Sequence, residues 1–193
     1  MDRHRLDWFQ VTDSHQDSDS FKFSTAATCY EWIDALAFHA VGSANGELYL
    51  FDANGRVAHA FRAENTSSPV CFIFHGPNVE FLAGHMDGTI TCFTEQHGRP
   101  VASVAAHSWP IALLAEAPTL HENNTELLLS IDRGGCIKLW RYPEWELEQA
   151  SIPTTTAITA CAIQENCIIW GQESGMLQLF DLRDPTKQCW YAQ

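Results

Sequence analysis

NGELYLFD at residues 45–52 is the first of four copies of one pattern, and this pattern decides the fold. The other copies are DGTITCFT at 87–94, GGCIKLWR at 134–141 and SGMLQLFD at 174–181. The glycine in the second position stands at 46, 88, 135 and 175, so the copies are 42, 47 and 40 residues apart. A period of this length indicates that one supersecondary unit is repeated along the chain.

Each copy predicts a half-buried β-strand that begins at a tight turn. The residues two and four positions after the glycine are apolar, as Leu48 and Leu50 are in the first copy, and the residue between them is mostly polar. Alternation with period two is typical of a strand with one buried face. The pairs Asn-Gly, Asp-Gly, Gly-Gly and Ser-Gly precede the strands, and such pairs supply the positive φ angles that a hairpin turn requires.

Three further runs accompany each copy and predict three more strands per unit. An apolar run precedes each turn, at 36–41, 79–83, 127–130 and 167–170. A run of small or branched residues lies upstream of it, at 26–29, 70–73, 111–114 and 158–163. A looser, more polar run follows, at 56–62, 100–105, 144–150 and 187–191. Four antiparallel strands per period predict an all-β fold of about four β-propeller blades.

These repeats resemble those of the WD-repeat family over residues 26–193. The family's signature dipeptide is matched by Phe51-Asp52 and Phe180-Asp181, and its Gly-His pair is represented only by Ala106-His107. The resemblance implies a propeller that serves as a scaffold for other proteins. It also implies a hydrogen-bonded network of histidine, aspartate, serine or threonine, and tryptophan. Only Asp87 matches the family's turn aspartate, so we expect this network to be complete in none of the blades.

A second propeller family remains as an alternative. Residues 41–55, together with 67–70, also look like the repeat of quinoprotein-type propellers. That resemblance implies a cofactor-binding or sensor domain with a small molecule in its central funnel. The third and fourth units favour the WD-repeat interpretation.

Composition limits the possible partners. The chain has 193 residues with 46% hydrophobic residues, enough to form a core, and a formal net charge of −13. This acidic balance argues against binding nucleic acid or an anionic membrane surface, because both require clustered Lys and Arg. We predict an acidic, mobile N-terminal segment at residues 1–25, which contains Asp13, Asp17 and Asp19, followed by a partial propeller at 26–193.

Nothing in the sequence indicates catalysis. No known nucleophile, zinc or phosphate-binding motif is present, and the nine histidines lack ligand-like spacing. We therefore predict a non-enzyme that needs neither cofactor nor metal, with Cys29, Cys71 and Cys161 as core residues. The seven cysteines are spread singly, and no signal peptide or membrane-length apolar run is visible, so we expect a reducing compartment, cytoplasm or nucleus.

The functional surface is expected on the face that carries the hairpin turns and the loops before the innermost strands. On this face we predict five protein-binding residues: His85, Asp87, Trp109, Arg133 and Glu173. Trp109 is central to this prediction because tryptophan is enriched among interface hot spots. The acidic charge predicts basic or amphipathic protein partners.

The number of repeats predicts an incomplete ring. Four blades would leave two blade faces uncovered, and apolar patches of that size are rare on monomers. We expect one of three situations: the chain belongs to a longer protein, a partner completes its ring, or it pairs with itself into an eight-bladed ring.

Overall fold

The computed structural model describes residues 25–64, 66–76, 80–94, 97–117, 127–142, 144–150, 156–164, 167–181 and 188–191. These residues form strands, turns and loops, and no helix among them is long and apolar enough to cross a membrane. The predicted N-terminal segment at 1–25 lies outside the described residues except for Thr25, so the mobility expected of it stays a prediction.

Sixteen strands among the described residues form four antiparallel sheets, each made of four consecutive strands. Blade 1 contains β1 (Ala27–Ile33), β2 (Phe38–Ser43), β3 (Glu47–Phe51) and β4 (Val57–Arg62). Blade 2 contains β5 (Val70–His75), β6 (Glu80–His85), β7 (Thr89–Thr94) and β8 (His97–Ala105). Blade 3 contains β9 (Ile111–Ala117), β10 (Leu127–Asp132), β11 (Ile137–Arg141) and β12 (Glu146–Ala150). Blade 4 contains β13 (Ile158–Gln164), β14 (Cys167–Gln172), β15 (Leu177–Asp181) and β16 (Gln188–Tyr191).

The predicted fold class is confirmed. Each repeated motif forms the turn and the third strand of a blade, and each turn glycine has a φ between +81° and +85°. The innermost strands extend further than predicted. β1, for example, continues through Tyr30 and Trp32 to Ile33, because these residues pair with β2. The runs of small or branched residues therefore located each innermost strand but ended one to four residues before the strand does.

Three hydrophobic cores lie between consecutive blades. Blades 1 and 2 share a core around Phe61, Phe81 and Phe93, whose rings stack at centroid distances of 5.2 and 5.9 Å. Blades 2 and 3 pack through a second cluster, and blades 3 and 4 through a third. Blades 2 and 3 thus bury one face against the preceding blade and the other against the following blade, which is how stacked repeats form a continuous core.

The ring of blades is open. The packing between sheets joins blade 1 to 2, 2 to 3 and 3 to 4. Among the described residues, no comparable packing joins blade 4 to blade 1. The incomplete propeller expected from four repeats is therefore what the described part of the chain forms.

Candidate protein-binding face

The turns and the loops before the innermost strands are tied together within every blade. We call this surface the loop face; it contains residues 44–46, 66–69, 86–88, 107–110, 133–135, 156–157 and 173–175. The first residue of each turn donates its backbone N–H to the residue just before the innermost strand of the same blade. These four bonds, 2.8 to 3.1 Å long, run from Ala44 to Ala26, Met86 to Pro69, Arg133 to Pro110 and Glu173 to Ala157.

Neighbouring blades are also joined across this face. The His107 N–H donates to Gly88 O at 3.0 Å, and the Ile158 N–H donates to Arg133 O at 2.8 Å. The loop of blade 3 lies so close to the turn of blade 2 that a Cβ added to Gly88 would stand 2.2 Å from His107 O. The loop face is consequently a fixed surface, whose exposed side chains are held in place by the backbone beneath them.

A column of buried polar residues supports the loop face from below. The last residue of the second strand is polar in all four blades and is buried there: Ser43, His85, Asp132 and Gln172. Each makes side-chain hydrogen bonds close to the turn that follows it. Since a buried polar group is costly unless it is hydrogen-bonded, these residues fix the position of the turns.

In blade 3, Asp132 belongs to a network of four side chains. The Trp140 indole N–H donates to Ser130 Oγ at 2.8 Å, and Ser130 Oγ lies 2.7 Å from His107 Nε2. His107 Nδ1 lies 3.1 Å from Asp132 Oδ2. Because a carboxylate can only accept, His107 Nδ1 donates to Asp132, and in the neutral tautomer this makes Nε2 the acceptor of the Ser130 hydroxyl proton. The four side chains form one directed chain of hydrogen bonds.

The expectation that this network is complete in no blade is therefore wrong. Its aspartate is Asp132, at the end of β10, whereas the position that matches Asp87 in the turn is Gly134 in blade 3. Ser130 and Asp132 are two residues apart on one strand, so both point to the same side of the sheet, where His107 lies. That spacing was the signal in the sequence that could have identified the network.

His85 is not an exposed binding residue, which corrects the prediction made for it. It is fully buried at the end of β6, with Nδ1 donating to Ser68 O at 2.9 Å and Nε2 2.9 Å from Thr91 Oγ1. Burial lowers the pKa of His85, against smaller opposing effects of the Ser68 hydrogen bond and the charge of Asp87. His85 acts as a neutral structural residue that joins the loop before β5 to β7.

Trp109 is exposed as predicted, with 58% of its surface accessible. Its ring does not insert between blades; it lies over Gly134, whose added Cβ would stand 2.8 Å from Trp109 Cδ1. Gly134 therefore provides the space that lets the indole lie against the blade 3 turn. Trp109 is both exposed and braced, the arrangement expected of an aromatic anchor.

Sequence reasoning missed Met86, which lies in the blade 2 turn whose Gly88 is close to the backbone of the Trp109 loop. Met86 is 45% exposed. The turn that contains it is close to the loop at 107–109, since a Cβ added to Gly88 would stand 3.0 Å from Trp109 O. Methionine is flexible and polarisable, which suits it to partner surfaces. Its place in the turn is not apparent from the apolar pattern of the strands, so no periodic signal identified it.

Asp87 is exposed next to Met86 and is held by two neighbours. It accepts from the Thr66 hydroxyl at 2.7 Å and from the Thr89 N–H at 3.0 Å. Partial burial alone would raise the pKa of Asp87, but these hydrogen bonds outweigh it and the pKa is lowered. Asp87 is thus a fixed negative charge on the loop face.

Arg133 and Glu173 are the remaining predicted residues, and both are exposed in the turns of blades 3 and 4. Arg133 also lines a small recess between the innermost strands, together with Cys71 and Cys161. Burial raises the pKa of Cys71 and of Cys161 to about 11, so both thiols are protonated at neutral pH. All four exposed residues, Asp87, Trp109, Arg133 and Glu173, lie on the loop face, with Glu173 in the turn of blade 4.

One group of potential metal ligands occurs among the described residues. Atoms of His107, Asp132 and Cys136 lie within 4.8 Å of one another. Both ring nitrogens of His107 already take part in the blade 3 network, and Asp132 Oδ1 accepts from the Cys136 N–H at 2.9 Å. We therefore interpret this group as part of the structural hydrogen-bond network.

No protein-family model matches the chain. Among solved structures, U3-55K is similar with a TM-score of 0.72 at 15% identity, over 88% of this chain and 53% of that one. A chain of the mitotic checkpoint complex has a TM-score of 0.67 at 15% identity, over 83% of this chain and 51% of that one. The computationally designed Ika4 protein has a TM-score of 0.66 at 19% identity, over 84% of this chain and 94% of that one.

These similarities support a β-propeller fold. The chain spans about half the length of U3-55K and of the mitotic checkpoint chain that it matches. It matches almost all of the designed protein Ika4. The fold and the comparisons together therefore define a protein of β-propeller type. Its four described blades form an open ring.

Proposed function

We propose that this chain is a non-catalytic scaffold of WD-repeat type that binds other proteins through its loop face. The network of His107, Ser130, Trp140 and Asp132 supports the WD-repeat assignment, because the resemblance in sequence implies such a network. The similarity to a chain of the mitotic checkpoint complex is in keeping with a role in protein assemblies. We propose a location in the cytoplasm or nucleus, which is in keeping with the six free cysteines among the described residues.

One observation carries the proposal: Trp109 is more than half exposed, yet it is held against Gly134 on a rigid loop. Exposing an indole to water is unfavourable, and fixing it in advance reduces the entropy lost on binding. Met86, in the neighbouring turn, adds a second exposed apolar side chain to the loop face.

Charge on the loop face suggests the chemistry of the partner. Asp87 and Glu173 are exposed there, and the whole chain carries a net charge of −13. We propose a basic or amphipathic protein segment whose apolar side chains cover Trp109 and Met86 while its Lys or Arg side chains face Asp87. Association with such a segment slows and weakens as salt rises, because exposed charges are screened.

The test is affinity capture with the full chain from native cell extract, followed by quantitative identification of bound proteins. The wild type is compared with Trp109→Ala and with the control Leu147→Ala. Leu147 is an exposed apolar residue on the outermost strand of blade 3, so this substitution removes similar apolar surface away from the loop face. We expect the bound proteins to be lost with Trp109→Ala and retained with Leu147→Ala.

Two results would contradict the proposal. If Trp109→Ala and Leu147→Ala retain the same proteins as the wild type, the loop face is not the binding surface. If the wild type retains nothing beyond an unrelated acidic protein of the same size, the scaffold function itself is refuted.

A further inference from the structure

Each blade has two distinct faces, and the three cores define which neighbour each face contacts. We call the side that packs on the following blade the front face and the side that packs on the preceding blade the back face. The front face of blade 1 and the back face of blade 2 meet in one core, and the same relation holds for blades 2 and 3 and for blades 3 and 4. The front face of blade 4 and the back face of blade 1 are left over.

The front face of blade 4 has the same apolar residues as the covered front faces, but they are exposed. One position of the second strand lies opposite the third-strand residue that comes four positions after the turn glycine. In blades 1 to 4 this position is occupied by Ala40, Leu82, Leu129 and Ile169. The first three are buried, whereas Ile169 is 42% exposed. Two positions after the glycine, Leu48, Ile90 and Ile137 are buried, whereas Leu177 is 45% exposed.

The front faces of blades 1 and 2 each contain a glycine whose missing side chain leaves room for a residue of the following blade, a feature we call the glycine socket. Val70, the first residue of β5, fills the space beside Gly42, where an added Cβ would stand 2.7 Å from Val70 Cβ. Ile111, the first residue of β9, fills the space beside Gly84 in the same way. Gly171 holds the corresponding position in blade 4, where no described residue from outside its own sheet lies within 4 Å of an added Cβ. The socket is built and has no occupant among the described residues.

The back face of blade 1 supplies the matching residues. Ala27 stands where Val70 and Ile111 stand in blades 2 and 3, because it pairs with Ser43 as they pair with His85 and Asp132. Tyr30 corresponds to Ile73 and Leu114, which are buried, but Tyr30 is 50% exposed. Val41 beside it is buried, so the exposed part of this back face is its innermost strand.

We propose that these two faces dock on each other between two copies of this chain, so that two chains form one closed eight-bladed ring. The front face of blade 4 in each copy packs on the back face of blade 1 in the other, with Ala27 at the Gly171 socket. This contact repeats the blade-to-blade contact already present three times within the chain. A twofold axis then covers the exposed parts of all four faces at once, which is the closed symmetry that most homo-oligomers adopt.

The size of the residues on the two faces is complementary. The front face of blade 4 has small residues on its innermost strand, Ala160 and Ala162, and both are exposed. The back face of blade 1 presents the large side chains of Tyr30 and Trp32 on its innermost strand. Large residues opposite small ones allow two sheets to approach to packing distance without cavities.

Light scattering during size-exclusion chromatography of the full chain tests the proposal. We expect a mass of twice the 21.7 kDa of one chain for the wild type. Ile169→Arg on the front face and Tyr30→Glu on the back face should each give a folded monomer. Val101→Arg is the matched control, because Val101 is equally exposed but lies on the outermost strand of blade 2, and it should remain a dimer.

Mixing the two monomeric variants distinguishes this arrangement from others. A ring formed by one Ile169→Arg chain and one Tyr30→Glu chain has two contacts between the chains. In one contact both faces are unchanged. In the other, the introduced arginine lies opposite the introduced glutamate, which has the complementary charge. We expect the mixture to recover dimers that neither variant forms alone. A dimer made by joining the front faces of the two variants would not recover, since one of its two faces always carries the Ile169→Arg substitution.

Several outcomes would overturn the proposal. These are a wild-type monomer that binds no apolar dye, an open-ended polymer, a dimer unaffected by Ile169→Arg, or a mixture that stays monomeric. If Ile169→Arg does not melt cooperatively, Leu177→Lys replaces it, because Leu177 is equally exposed on the same face.

Discussion

Substitution of Gly88 by alanine tests how closely the blades meet at the loop face. Gly88 has a φ of +83°, and an alanine in this left-handed region costs about 1–2 kcal/mol. The added Cβ would also stand 2.2 Å from His107 O and 2.6 Å from His107 C. The loop of blade 3 must then move, which disrupts the hydrogen bond from His107 N to Gly88 O, worth about 0.5–1.5 kcal/mol.

The two contributions together predict a loss of about 1.5–3.5 kcal/mol in the free energy of unfolding. For a chain of this size, that corresponds to a fall in Tm of roughly 3–14 °C. The matched control is Gly55→Ala, because Gly55 has a φ of +76° and open space around its Cβ position. Only the conformational cost applies there, so we expect about 1–2 kcal/mol.

Urea unfolding of both variants, followed by intrinsic tryptophan fluorescence, measures the difference between them. Equal losses for Gly88→Ala and Gly55→Ala would mean that the blade 3 loop does not lie against the blade 2 turn. The structural basis of the loop face would then be refuted, whatever the absolute stabilities.

Three further predictions concern the residues around the loop face. Trp109→Ala should lower the free energy of unfolding by less than about 1 kcal/mol in urea, since its ring is mostly exposed; a loss of about 3–5 kcal/mol would identify it as a core residue. Ser130→Ala should lower the free energy of unfolding by about 2–4 kcal/mol, because it leaves Trp140 Nε1 and His107 Nε2 buried without their shared partner. As a control, removing the exposed Thr159 hydroxyl should lower it by less than about 0.5 kcal/mol. Burial lowers the pKa of His85 in the folded chain, so below the unfolded pKa of about 6.5 unfolding is accompanied by binding of a proton. The contribution of His85 to stability is therefore present above that pH and is lost as the pH falls. His85→Asn should flatten the decline in urea stability between about pH 7 and 5, and an unchanged slope would show that His85 does not titrate on unfolding.

The sequence by itself determined the blades. Alternating apolar residues and turn glycines act within a few residues of each other, so the third strand and turn of every blade could be located from the repeated motif. The period of 40 to 47 residues then indicated how often that unit recurs. The exposure of Trp109 also followed from local features, since it lies in a loop next to Pro110.

The tertiary structure decided what depends on residues far apart in the chain. His85 directly precedes exposed turn residues in the sequence, but it is buried and hydrogen-bonded to Ser68 and Thr91. Only the pairing of β6 with its neighbouring strands brings these two residues next to it. Asp132 replaced the expected turn aspartate because β10 directs it to the same side of the sheet as Ser130, within reach of a histidine 25 residues away. The exposed front face of blade 4 has the same apolar pattern as the buried ones. Burial is set by whether another sheet is present against that face, which no local pattern of residues can determine.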